Sequence, residues 1–84
     1  MINHRLKSHI LGVVENQLKL DEPKCTKETF NRLIDMGYSE TESKEMIGRV
    51  LVVEIFDILK NKNVFNEKRY AKNLSLLPDY VEES

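Results

Sequence analysis

Eighty-four residues suit a single domain, and 40% hydrophobic with 32% charged residues is a globular composition. A net charge of −1 gives no overall pull toward nucleic acid or an acidic membrane. The lone Cys25 excludes an internal disulfide, and no cysteine pair suggests a zinc site.

The opening "MINHRLKSHI" lacks the unbroken apolar core of a signal peptide. The longest nearly apolar run, Val50 to Leu59, is interrupted by Glu54 and Asp57 and is too short to span a bilayer. A soluble protein of the reducing cytoplasm is expected, without a membrane role.

Helical patterns follow in order. The first runs from about Asn3 to Lys19, with Leu6, Ile10, Val13, Val14 and Leu18 on one face. Asn3 is its expected N-cap, and Pro23 disfavours helical geometry at Glu22. The second runs from about Lys27 to Met36 behind a Thr26 cap, with Phe30, Leu33 and Ile34 as its apolar stripe. Gly37 stops it, because the residue after a helix end often adopts positive φ.

The third helix starts after Ser39, which is spaced with Glu42 as a capping box. It runs to about Lys60. Ten of the fourteen residues from Met46 to Leu59 are apolar, so this helix is either central or paired with another chain. Its β-branched content allows a strand, but Glu54, Asp57 and Asn61 recur at steps of three and four. That spacing makes one polar stripe on a helix and divides between the faces of a strand. The stripe is expected to be solvated. The fourth helix runs from about Glu67 to Leu76, capped by Asn66 and ended by Pro78. Tyr70, Leu74 and Leu77 are its apolar residues, and Val64 or Phe65 is placed to staple against Tyr70.

The expected fold is all-α: a small four-helix bundle with a long central third helix. Residues 1–84 form one domain, and residues 79–84 form a frayed acidic tail.

The stretch "RLIDMGYSETESKEMI" resembles the first turn of the ubiquitin-associated domain. That resemblance implies a partner-binding role for Met36, Gly37 and Tyr38. The chain departs from the family after Ile47, where "MIGRVLVVEIFDILK" continues without the loop that would start a third short helix. A structural turn, with Gly37 as cap and Tyr38 packed over the junction, is therefore the preferred reading. The same turn loosely resembles a helix-turn-helix, but Glu40, Glu42 and Glu45 would face phosphates. Ser43 also stands where such helices place an apolar residue.

A longer likeness covers about residues 3 to 59. "NHRLKSHILGVVENQLKLDEPK" and "RLIDMGYSETESKEMIGRVLVVEI" are similar to a family of small bacterial helical proteins of unknown function. Its pattern is matched by Glu15, Asn16, Gln17, Arg32, Leu33, Gly37, Ile47 and Gly48. Many members carry two histidines in the first helix and one in the third; here those positions hold Lys7, Leu11 and Glu45. The resemblance implies no biochemical activity.

Other candidates for chemistry are few. His4 and His9 lie about 140° apart around a helix and do not readily share a metal. Cys25 lacks a recognisable base or oxyanion site. Gln17 interrupts an apolar face and is expected to bond to backbone in a neighbouring loop. Five basic residues lie between Lys60 and Lys72; Lys62, Lys68, Arg69 and Lys72, interleaved with Phe65 and Tyr70, form a candidate anion contact. Nucleic-acid binding through it is a lesser expectation. No catalytic residue, metal or cofactor is expected. The sequence points to a non-enzymatic interaction or structural module that binds another protein or itself, with a monomer favoured over a homodimer.

Overall fold

A computed structural model describes residues 4–80. The expectations for Asn3, the His4 side chain and the tail from Val81 onward lie outside the described residues. The chain folds into four helices: α1 (His4–Leu20), α2 (Lys24–Asp35), α3 (Glu40–Asn61) and α4 (Glu67–Ser75). It is the expected all-α bundle with its longest helix third. The helix α3 packs against each of the other three. Its buried face carries Ile47, Val50, Leu51 and Val52 into a core completed by Ile10, Val14, Leu33, Tyr70, Leu74 and Leu77.

Local chemistry sets the boundaries. At the end of α1, Asp21 takes the left-handed conformation (φ 54°). The Glu22 N–H donates to the Gln17 carbonyl and the Asp21 N–H to the Leu18 carbonyl, at 3.1 and 3.4 Å. This is the hydrogen-bond pair of a Schellman ending. A second such ending closes α2. There Gly37 has φ +102°, and the Tyr38 and Gly37 N–H groups donate to Leu33 and Ile34 at 3.1 and 3.0 Å.

The start of α2 differs from expectation. The helix begins at Lys24, with Pro23 at the N-cap and no side-chain cap. Thr26 lies inside the first turn and is buried. Its N–H donates to the Pro23 carbonyl at 3.1 Å, and its hydroxyl bonds within the core instead of capping. A proline at this point needs no donor of its own, so the first turn closes directly behind it.

The capping box at Ser39 is present in both directions: the Glu42 N–H donates to Ser39 Oγ, and the Ser39 N–H donates to Glu42 Oε1, each at 3.0 Å. Asn66 Oδ1 accepts from the Arg69 N–H at 3.0 Å to start α4. Phe65, not Val64, is the staple: its ring meets Tyr70 edge-on with centroids 5.3 Å apart, while Val64 stays exposed.

Gly48 lets α1 and α3 cross closely. A Cβ there would stand 3.2 Å from Ile10 Cγ2, tighter than ordinary packing. Any side chain at position 48 would press on Ile10, which would have to give way by a few tenths of an ångström.

Candidate functional site

The Met36–Gly37–Tyr38 turn sits at the far end of α2, built by the Schellman hydrogen bonds. Met36 is 52% exposed, whereas Tyr38 packs partly against the core. Arg32, one turn back, reaches over this region. Its Nη1 donates to the Leu77 carbonyl at 2.7 Å and its Nη2 to the Leu74 carbonyl at 3.0 Å. These carbonyls belong to the last turn of α4 and the turn after it, where intrahelical donors run out. Arg32 thus closes α4 from α2, and it also lies 3.8 Å from Met36 Sδ. Leu76, which lies between Leu74 and Leu77 in the chain, is exposed.

The basic residues of the fourth segment are not one surface. Lys62, in the left-handed conformation at the end of α3, and Lys68 and Lys72 on α4 are exposed. Arg69 faces inward. Its Nε donates to Glu54 Oε2 at 2.7 Å, and its Nη2 donates to Glu54 Oε1 and Asp57 Oδ2, both at 2.9 Å. Glu54 is 1% exposed, so it is not part of a solvated stripe. The guanidinium that neutralises it lies fifteen residues on in the chain, beyond the reach of helical periodicity. Asp57 also accepts from Asn61 Nδ2 at 2.8 Å and from Asn63 Nδ2 at 3.2 Å. The hydrogen bond from Asn61, followed by those from Arg69 and Asn63, holds the Asp57 carboxyl down at about 2.

A buried polar cluster joins α1, α2 and α4. Gln17 Oε1 accepts from Thr26 Oγ1 at 2.7 Å and from the Tyr70 hydroxyl at 2.9 Å. Gln17 therefore bonds to side chains, where backbone partners were expected. Burial pushes the Tyr70 hydroxyl well above the usual phenol range. Burial, with Glu67 beside it, also pushes the Cys25 thiol up, which disfavours the thiolate a nucleophile needs. Among the described residues, no three His, Cys, Asp or Glu side chains are placed to hold a metal ion.

Lys7, Leu11 and Glu45 come together where α1 crosses α3. With Ile10, Gly48 and Arg49 they line a crevice of about 240 Å³. Lys7 Nζ pairs with Glu45 Oε2 at 2.6 Å over it. Ile10, Leu11 and Gly48 supply its apolar part. The signal for it in the sequence is a glycine inside an apolar helical run.

The last open feature is the end of α3. Phe56 is 47% and Leu59 72% exposed, on the helix whose preceding turns are the most buried part of the chain. None of the described helices is long and apolar enough to cross a membrane.

No family model matches this chain, and no match was found among curated proteins or solved structures.

Proposed function

We propose that this chain is a non-enzymatic protein-interaction module, bacterial in type and cytoplasmic, that uses the open end of α3 as its contact surface. The reading rests on Phe56 and Leu59. Large apolar side chains exposed three residues apart on one helix form a local patch, and such patches mark contact sites in soluble proteins. The free chain is taken to be a monomer, since the other three helices already bury Ile47, Val50, Leu51 and Val52 of α3. The test is affinity capture from native lysate with two baits, the wild-type chain and a Phe56→Ser/Leu59→Ser variant of unchanged helicity. A partner held by the first bait and lost by the second is expected. Identical capture by both would remove this surface from the account.

A second reading has its own observation. Met36 is exposed at the turn, so the turn offers an apolar contact of the ubiquitin-associated kind. Titration with ubiquitin, followed by backbone amide shifts, separates the two. Shifts at Met36, Gly37 and Tyr38 would favour the turn, and their absence leaves α3.

A further inference from the structure

The open face of α3 carries a charge pattern as well as an apolar one. Arg49, Phe56 and Lys60 are spaced by seven and four residues, which places them on one side of the helix. Arg49 and Lys60 are exposed. Neither is engaged in an ion pair or hydrogen bond among the described residues. The acidic groups nearby on α3 are all engaged: Glu45 by Lys7 at 2.6 Å, and Asp57 and Glu54 by Arg69 at 2.9 and 2.7 Å. The face therefore presents unsatisfied positive charge on either side of an apolar centre. Toward its amino-terminal end it runs into the apolar floor of the crevice at Ile10, Leu11 and Gly48. From Gly48 to Leu59 it extends about 16 Å, roughly three helical turns.

We propose that this face docks an amphipathic helical segment of another protein, one whose apolar stripe is flanked by Asp or Glu. This rests on the reading of the end of α3 as a contact surface and names its partner's chemistry. The apolar stripe would cover Phe56 and Leu59 and reach into the notch at Gly48. The flanking carboxylates would meet Arg49 and Lys60, which speeds encounter and sets orientation. A second copy of the chain is a poor occupant. In a two-fold antiparallel pairing of this face, Arg49 of one copy approaches Lys60 of the other, so like charges meet twice.

The test uses the full chain, isotope-labelled, and two synthetic helical peptides sharing one leucine stripe. One is flanked by glutamates, the other by lysines. The glutamate peptide should shift the amides of Gly48, Val53, Phe56 and Leu59, with an affinity that falls as salt rises. An Arg49→Glu/Lys60→Glu variant, verified as folded by its circular dichroism, should bind that peptide about tenfold more weakly. The same variant should gain affinity for the lysine peptide. Equal binding of both peptides to the wild-type face would overturn the acidic partner and leave the contact surface standing. No shift on this face with either peptide would overturn both. A dimer mass in sedimentation equilibrium, abolished by Phe56→Ser, would assign the face to a second copy instead.

Discussion

At the scale of single residues, the clearest cases are a glycine that must be one and a serine that need not be. Gly37 sits at φ +102°, where a β-branched side chain is strained. Gly37→Val should therefore lower unfolding stability by about 1 kcal/mol or more, read from urea denaturation. A wild-type midpoint with an unchanged slope would contradict the strain. Ser43 is fully buried, and its hydroxyl has no hydrogen-bond partner among the described residues. Burying an unpaired hydroxyl costs free energy that an alanine avoids at nearly the same volume. Ser43→Ala should raise stability by about 1 kcal/mol, and a loss of stability in the same denaturation would reveal a hidden partner. Gly37, Ser39 and Asn66 were legible in the sequence because each acts on backbone within a few residues of itself. Thr26 and Gln17 were not. Thr26 has the composition of a cap, and only the distant Gln17 and Tyr70 decide that its hydroxyl turns inward.

At the scale of elements, α4 depends on its neighbours. Nine residues make a helix too short to stand alone. Its first turn is tied to α3 through Arg69, and its final carbonyls are closed by Arg32 of α2. Removing Arg69 strands the buried Glu54 carboxylate, which is worse than replacing both partners by apolar groups. Arg69→Met should thus destabilise more than the Glu54→Met/Arg69→Met double variant, and a double-mutant cycle checks the order. Asp57 adds a pH dependence of known sign. Its carboxyl is held at about 2 in the folded chain against an ordinary 3.8. Its stabilising contribution is present above the ordinary value and is lost as pH falls toward 2. Asp57→Asn should flatten the stability profile across that interval. A profile as steep as the wild type would place the titration elsewhere. The same tie marks where periodicity stops informing. Glu54, Asp57 and Asn61 do share a helical stripe, but α4 covers part of it, and no pattern within α3 reveals that covering.

At the scale of the whole molecule, three helices surround the middle of α3 and leave its end open. Amide exchange should follow this: slow at Ile47, Val50 and Leu51, and distinctly faster from Phe56 to Asn61. Uniform protection to Asn61 would mean that the exposed end is covered in solution. The bundle and its central helix were readable from apolar spacing and helix-end residues alone. The open face was readable only as an excess of apolar residues, since which of them stay uncovered depends on how three other helices are arranged. The Gln17–Tyr70 hydrogen bond spans fifty-three residues, and it has a consequence for how the chain is made. The first two helices can form while synthesis continues, yet the polar groups they bring to the centre wait for Tyr70. Leu33 likewise has no α4 to pack against until Leu74 and Leu77 exist. A nascent chain halted after α3 would hold an incomplete core and expose it to whatever binds unfinished polypeptides. The core shared by these four helices is therefore complete only once α4 has been made.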